Sequence, residues 1–289
     1  MMNLTIGFIT FNNLKYTKLC LQSFKDTVRN PYKFFIVDGG SSDETVVWLD
    51  RQNIPHKVHE HNLGSCVGVN DLFDIALHND DDYLLLCGND VMAYPHAVDN
   101  MIQVAMETKA DWVWAHEMRI SDFCGIFNEF ADPKYFDENY RLKGDNFLAY
   151  TRFMPNKEMS WHEFIPVRDY RNFCLISKKL FDKVGYTDVN FYPSGYFEDN
   201  DYCRRAYLKG CRAVMVNNAW FFHFWCRSLF EGGIDKTYEK YLRLNELYYF
   251  KKWGGQVGSE KFMIPFAEKQ IKIGDRANEN KAVEFWSAK

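Results

Sequence analysis

Apolar residues along the chain fall into short continuous runs and into helical periodicities, and the two alternate. Residues 4–9 form an apolar run that ends at Thr10-Phe11-Asn12-Asn13, the pattern of a strand followed by a loop. Over 16–28 the positions Leu19, Leu21, Phe24 and Val28 recur at near-helical spacing, and Asn30-Pro31 closes the segment. Residues 33–37 read as a second strand, closed by Asp38-Gly39-Gly40-Ser41-Ser42-Asp43. Ser42 or Asp43 can cap a helix over 44–50. A weak third strand over 56–60 and a turn at Asn62-Leu63-Gly64 come next. Val69, Leu72, Phe73, Ala76 and Leu77 then carry the spacing of an amphipathic helix. Residues 83–87 are fully apolar and end at Gly88-Asn89-Asp90; a helix over 95–107 and a strand over 112–115 follow. Repeated strand–helix alternation with near-continuous apolar strands predicts a parallel sheet covered by helices on both faces.

The periodicity lapses over 116–170, a stretch rich in Phe, Tyr, Trp and Asp. So long a segment without its own pattern is usually functional or mobile. Trp112, Trp114, Tyr150, Phe153 and Trp161 are candidates for stacking on a bound ligand, against the plainer alternative of ordinary packing. Order returns with a strand over 173–177 and a helix over 178–184 stopped by Gly185. Then comes Gly195-Tyr196-Phe197-Glu198-Asp199-Asn200-Asp201, with three acids within four residues ahead of a helix that runs to Lys209-Gly210 and has Tyr202, Ala206 and Tyr207 on one face. Strands are predicted over 214–216 and 219–224, the second placing His223 in an aromatic run. Arg227, Ser228 and Lys236 lie in a loop containing Gly232 and Gly233. Residues 238–253 predict a strong helix with Tyr241, Leu242, Leu244, Leu247, Tyr248 and Phe250 mostly on one side, ended by Gly254-Gly255.

A chain of 289 residues suits one large domain or two small ones. Aromatics reach 17%, more than a core of this size requires, and aromatic faces suit flat ligands such as sugars and bases. The net charge of −4 gives no electrostatic case for a general nucleic-acid binder. The eight cysteines form no CxxC pair, so they read as free thiols in a reducing compartment rather than as a zinc site. No signal-peptide pattern and no membrane-length apolar run is visible, and the expected location is the cytoplasm.

Ligands of open parallel sheets bind at the carboxyl ends of the strands. The polar loops 10–13, 38–43 and 88–90 lie at those ends. Asp38 can accept from a base N–H or a ribose hydroxyl, and Asp90 can hold a divalent metal against phosphates. Neither GxGxxG nor GxxxxGK[ST] is present. Carboxylates at a helix start are held ionised by free backbone N–H groups and the helix dipole. One of the acids at 198–201 can therefore take a proton from an incoming hydroxyl, or all three can serve as a solvated cap. Arg227 can counter charge on a leaving group if its loop closes over a pyrophosphate.

Several stretches together resemble glycosyltransferase family 2. Val37-Asp38-Gly39-Gly40-Ser41-Ser42-Asp43-Glu44-Thr45 is similar to its VDNGSSDGT stretch. Asn62-Leu63-Gly64 followed by Asn70 is similar to its NxGxxxxxN segment, and Leu86-Cys87-Gly88-Asn89-Asp90-Val91 to the strand that ends in its DxD-type motif. Val184-Gly185-Tyr186-Thr187-Asp188 and the acids at 198–201 resemble the segment that leads to its ED-x-D signature and the signature itself.

The resemblance implies an α/β, Rossmann-like GT-A fold with a mostly parallel central sheet flanked by helices and an irregular acceptor-side region. It implies one domain over 1–255, divided into a nucleotide-sugar-binding half (1–115) and an acceptor-binding and catalytic half (116–255), with a C-terminal tail over 256–289. The implied activity is metal-dependent, inverting transfer of a sugar from a nucleoside-diphosphate donor, a UDP-sugar favoured, to an acceptor hydroxyl. Mn²⁺ or Mg²⁺ would sit on Asp90 and His223, and Asp199 would be the base, with Glu198 the alternative. Thr10, Asn12, Asp38, Gly64, Asn70, Asn89 and Arg227 would contact the nucleotide-sugar, and Trp161 and Asp201 the acceptor. The expected acceptor is a saccharide, a lipid-linked glycan or a protein, with a modified base in DNA less favoured. One rival is a catalytically inactive glycan- or nucleotide-binding module on the same fold, which the joint presence of Asp38, Asp90, Asp199 and His223 opposes. The other is a nucleotidyltransferase, which would need basic residues at 10–13. The chain departs from the family pattern at Gly88, where the DxD motif has an acid, and at Gly39, where an Asn is usual.

Overall fold

The computed structural model describes residues 2–119, 159–165, 173–192, 196–224, 227 and 238–266. The strands are β1 (Leu4–Thr10), β2 (Lys33–Asp38), β3 (His56–Val58), β4 (Tyr83–Gly88), β5 (Val91–Ala93), β6 (Trp112–Arg119), β7 (Trp161–Phe164), β8 (Phe173–Ser177) and β9 (Ala213–His223). The helices are α1 (Leu14–Thr27), α2 (Thr45–Arg51), α3 (Ser65–His78), α4 (Ala97–Thr108), α5 (Lys178–Val184), α6 (Glu198–Leu208) and α7 (Tyr238–Trp253). The strands form one sheet in the order β3-β2-β1-β4-β8-β6-β9-β5, with β7 also paired to β9. β1, β2, β3, β4, β6 and β9 point one way, and β5, β7 and β8 run against them.

The apolar strands alternate between two cores. Leu85 and Cys87 of β4, Val113 and Ala115 of β6, and Phe173 and Leu175 of β8 join α1 and α4 on one face. Leu84 and Leu86, Trp112 and Trp114, and Cys174 and Ile176 join α3, α5 and α6 on the other. This is why the strands read as continuously apolar: every position is inside, on one face or the other. Helix α3 lies close on β1, because a Cβ at Gly68 would meet Ile9 Cγ2 at 2.2 Å.

Several expectations are corrected here. Trp112 and Trp114 are buried in the second core with their rings 4.8 Å apart, so they are packing residues and not a stacking surface. β5 and β7 were not expected. β9 is one strand, interrupted by a shift in pairing rather than broken in two. Tyr207 is exposed, while Tyr202 and Ala206 are buried. On α7 the interior side is Asn245, Tyr249, Lys252 and Trp253, and Leu247 and Phe250 face solvent. Tyr150, Phe153, Ser228, Gly232, Gly233 and Lys236 lie outside the described residues. The described cysteines, Cys20, Cys66, Cys87, Cys174, Cys203 and Cys211, are free thiols. No described helix is long and apolar enough to cross a membrane.

An ion network orients α7. Lys252 Nζ lies 2.7 Å from Asp188 Oδ2 and 2.5 Å from Asp201 Oδ1, with all three side chains 0% exposed. Trp253 Nε1 donates to Asp201 Oδ1 (2.9 Å) and Tyr248 Oη to Asp188 Oδ2 (2.9 Å). Arg205 Nε donates to Asp201 Oδ2 at 2.8 Å. Burial opposes the charge on Asp188, but the Lys252 ammonium beside it holds the carboxyl below its usual range. Around this network Tyr249 and Trp253 pack on Cys66, Val67, Val189 and Phe191, a small core that covers the first turn of α3. Lys252→Met strands two buried carboxylates and is expected to cost about 3–5 kcal/mol in chemical denaturation. Leu247→Ala, on the exposed side of the same helix, should stay within about 0.5 kcal/mol. Equal losses in the two variants would show that apolar contacts alone hold α7.

Candidate active site

The loops at the carboxyl ends of β1 and β2 are tied to each other. Asp38 Oδ1 accepts from the backbone N–H of Gly40 (3.0 Å) and Ser41 (2.7 Å), and Oδ2 accepts from Ser41 Oγ at 2.6 Å. Asn12 and Asn13 take left-handed backbone angles. Asn12 Oδ1 accepts from Ser42 N–H at 2.8 Å, and its own N–H donates to Ser41 Oγ at 2.7 Å. Asp43 Oδ1 accepts from Thr45 N–H at the start of α2 (2.9 Å), but the N-cap is Glu44, which makes no side-chain cap bond, so neither Ser42 nor Asp43 is the cap expected from the sequence. Gly40 (φ 84°) abuts the stretch after β3, since a Cβ there would meet His59 O and His61 Cα, each at 3.1 Å. Thr10, Thr17 and Asn89 form a buried triangle, with Asn89 Nδ2 donating to Thr10 Oγ1 (3.1 Å) and Thr17 Oγ1 (3.2 Å). Asn12, Asp38 and Asn89 thus spend these hydrogen bonds on shaping the loops.

Gly64 (φ 86°) leads into α3. Asn70, a turn and a half further on, points to the other side of the helix. Its side chain accepts from Thr187 N–H (2.8 Å) and Oγ1 (2.8 Å) and donates to Thr187 O (3.2 Å). It docks α3 onto the residues that lead to Asp188.

The second group forms where β4, β5, β6 and β9 meet. Asp90 lies in the turn between β4 and β5, and β5 pairs with the end of β9, Val91 opposite His223. His223 Nε2 is 3.2 Å from Asp90 Oδ1, and Nδ1 is 2.6 Å from Glu117 Oε1 on β6. Burial disfavours a charged His223, but the Asp90 carboxylate and then Glu117 outweigh it and raise its pKa to about 9. Burial also opposes the charge on Asp90, yet His223 beside it holds this carboxyl below its usual range. Asp90 further receives Arg227 N–H at Oδ2 (3.3 Å) and Phe224 N–H at its carbonyl (2.9 Å). Arg227 Nε donates to Phe224 O at 2.8 Å, and Asn13 Nδ2 donates to Arg227 O at 2.9 Å. The chain after β9 is therefore fastened to the β1 loop. Gly88 leaves room here, because a Cβ would come within 2.9 Å of Asp90 Oδ1 and press on that carboxylate.

The Asp90–His223 pair fits a hard divalent cation. Two ligands at neighbouring corners of an octahedron with bonds of about 2.1 Å lie about 3.0 Å apart, against the 3.2 Å seen between Asp90 Oδ1 and His223 Nε2. No set of three or more His, Cys, Asp or Glu side chains is arranged to hold an ion among the described residues. Glu117 meets the opposite nitrogen of the ring and is no third ligand at Nε2. Sequence reasoning missed Glu117, a single acid in a stretch without periodicity.

The acids at the start of α6 have different fates. Phe197 (φ 72°) turns the chain into the helix. Asp201 points inward to Arg205, Lys252 and Trp253, and so stands apart from the other two. Glu198 Oε1 receives Ser65 Oγ from the first turn of α3 at 3.5 Å, and Oε2 is buried without a hydrogen-bond partner among the described residues. Burial, and then the Asp199 charge, push the Glu198 carboxyl well above its usual range. The expectation that the helix start keeps every carboxylate ionised fails at this residue. Asp199 Oδ1 accepts from Asn200 N–H at 2.7 Å. Trp161 is 38% exposed on β7, opposite Val216 and well short of His223 along β9. Arg212 lies over its ring at 5.7 Å.

The model of the family described as glycosyl transferase family 2 matches residues 5–165. Among solved structures, the fold is similar to S. aureus TarS 1–349 in complex with UDP, with a TM-score of 0.55, 14% identity, and coverage of 86% of this chain and 72% of that one. It is similar to the same protein with UDP-GlcNAc, with a TM-score of 0.54, 15% identity, and coverage of 99% and 72%. GalNAc-T7 with UDP, GalNAc and Mn²⁺ is also similar, with a TM-score of 0.57, 11% identity, and coverage of 87% of this chain and 50% of that one. At these identities the likeness is one of fold. No curated protein matches the chain.

The environment of Glu198 sets a pH dependence. Its carboxyl keeps its proton in the folded chain at pH values where the unfolded chain has lost it. The folded state then binds more protons, so stability falls as pH rises from the ordinary carboxylate range to the folded-state value. Glu198→Gln removes this titration. The stability advantage of the variant over wild type is expected to widen with pH, at up to about 1.4 kcal/mol per pH unit, and then level off. Urea denaturation of both proteins over a pH series measures it. A difference that stays constant across the series would mean that Glu198 is ionised like an ordinary cap.

Proposed function

The chain belongs to glycosyl transferase family 2, and from that premise we propose that it moves a sugar from a nucleoside-diphosphate donor to an acceptor hydroxyl, with inversion at the anomeric carbon. The observation that carries the reading is the 3.2 Å pairing of Asp90 Oδ1 with His223 Nε2 at the carboxyl edge of the sheet. Open α/β sheets receive their ligands at that edge. UDP is the favoured nucleotide, since TarS is solved with UDP and with UDP-GlcNAc and GalNAc-T7 with UDP. Asp90 and His223 would hold Mn²⁺ or Mg²⁺. A divalent ion there offsets charge on the diphosphate and on the departing nucleoside diphosphate.

The chain's own groups do the rest. The loops locked by Asp38 and Asn12 shape the nucleoside pocket, with Thr10 and Asn89 fixing the strand end beneath it. Gly64 lets the start of α3 come close, and the backbone N–H of Arg227 holds the chain after β9 against Asp90. Asp199 takes the proton of the acceptor hydroxyl as its oxygen bonds to the anomeric carbon and the bond to the diphosphate oxygen breaks on the opposite face. Burial and the Asp199 charge raise the Glu198 carboxyl well above its usual range, which favours Asp199 over Glu198 as the proton acceptor. The acceptor class is a saccharide, a lipid-linked glycan or a protein hydroxyl.

Incubation with a panel of nucleotide-sugars and Mn²⁺, reading donor hydrolysis and transfer, tests the activity. UDP-sugars should be consumed, EDTA should stop turnover and added Mn²⁺ or Mg²⁺ should restore it. Full activity in EDTA would remove the cation from the scheme. Asp199→Asn should lower kcat by roughly 10²–10⁴-fold with donor Kd near wild type, and Glu198→Gln should lower it less. The reverse order would make Glu198 the base. Wild-type transfer in both variants would reduce the acidic turn to a helix cap.

A further inference from the structure

We propose that Glu117 is a positioning residue for cation binding: through Nδ1 it fixes the orientation and tautomer of His223, so that the Nε2 lone pair is presented beside Asp90. The inference rests on the reading of Asp90 and His223 as cation ligands.

Glu117, His223 and Asp90 form a chain of contacts in which the ring touches one carboxylate with each nitrogen, at 2.6 Å and 3.2 Å. The three side chains are 7%, 5% and 9% exposed, so water does not compete freely for either nitrogen. A cation at Nε2 uses that nitrogen's lone pair, and the remaining ring proton must then sit on Nδ1. Glu117 Oε1 is placed to accept it. A carboxylate in this position also makes the ring a stronger donor to the metal.

The backbone is arranged to bring Glu117 there. β6 and β9 begin in register with Trp112 opposite Ala213 and Ala115 opposite Val216. Continued unchanged, that register would place Asn218 opposite Glu117. Instead the pairing shifts after Ala115, so that Glu117 faces Phe221 and Arg119 faces His223. The extra residues of β9 are held from three sides. Asn100 Nδ2 of α4 donates to Asn218 O (3.0 Å), Asn217 N–H donates to Ser160 O (2.8 Å), and Trp220 stacks on His116 at 4.6 Å. Bulges of this kind re-aim side chains next to sites. Here the shift moves His223 back along β6 to within reach of Glu117.

The test measures Mn²⁺ affinity in the presence of UDP for wild type, Glu117→Gln and Glu117→Leu, by electron paramagnetic resonance of free Mn²⁺, with His223→Ala as the non-binding control. Glu117→Leu should weaken Mn²⁺ binding by roughly 10–100-fold, and Glu117→Gln, which keeps the shape and an acceptor oxygen but not the charge, by less. Nitrogen-15 shifts of the His223 ring with diamagnetic Mg²⁺ should report a proton on Nδ1 in wild type and a mixture of tautomers in Glu117→Leu. If Glu117→Leu does not fold, the isosteric Glu117→Gln carries the comparison. Wild-type Mn²⁺ affinity in the folded variants overturns the role of Glu117 and leaves the cation reading intact. Absence of Mn²⁺ binding by wild type itself overturns both.

Discussion

The ammonium of Lys252 is the point at which separate parts of the chain become one structure. It lies between Asp188 and Asp201, at 2.7 and 2.5 Å, with no exposure to water. An isolated buried ammonium or carboxylate is very costly, and only a set whose members satisfy one another can be buried together. Here Arg205, Trp253, Tyr248 and Asn190 supply the remaining donors to the two acids. Such a set contributes geometry more than net stability, because each charge tolerates only the arrangement that pairs it. Asp201 belongs to the first turn of α6 and Asp188 follows the Thr187 that grips α3 through Asn70. Lys252, near the end of α7, thereby sets the relative placement of the three helices that surround Glu198 and Ser65.

That placement gives neighbouring carboxylates different chemistry. Asp201 and Glu198 lie three residues apart, close to one turn of helix. Asp201 meets two cations and an indole N–H. Glu198 receives a serine hydroxyl at 3.5 Å, and its Oε2 is buried with no donor among the described residues. The Asp201 N–H is already bonded within the helix, to Phe197 O at 2.9 Å, whereas Glu198 opens the first turn. Burial and then the Asp199 charge raise the Glu198 carboxyl, and on the proposed reading the base beside it is Asp199.

The fold was legible because its strands are buried on both faces and its helices on one, which leaves two distinct apolar periods in the sequence. β5 and β7 were not, since three or four residues are too few for either period to show. The interior side of α7 was misassigned because its deepest residue is a lysine, and periodicity counts lysine as solvent-facing. For the site, Asp90 and His223 were within reach through the family resemblance, and the structure brings them to 3.2 Å. Asn12, Asn70 and Asn89 illustrate a limit of sequence reading. An amide that meets a ligand and one that ties down its own loop are the same letter, and these three are hydrogen-bonded within the protein. Glu117 left no trace, because its partner is set by a shift in strand register that no local pattern encodes.

The missing acid at position 88 has a steric account. The Asp90 carboxylate folds back over this position, where even a Cβ would come within 2.9 Å of Oδ1. A larger residue would press on that oxygen, the tip of a side chain, so the glycine leaves room for the Asp90–His223 contact. On the proposed reading the described residues offer a cation two ligands, one carboxylate oxygen and one imidazole nitrogen. An octahedral ion keeps about four further positions, to be filled by phosphate oxygens and water. With so few protein ligands, most of the coordination shell must arrive with the donor. On that reading cation and nucleotide-sugar would bind as one unit, each raising the affinity of the other by the same factor.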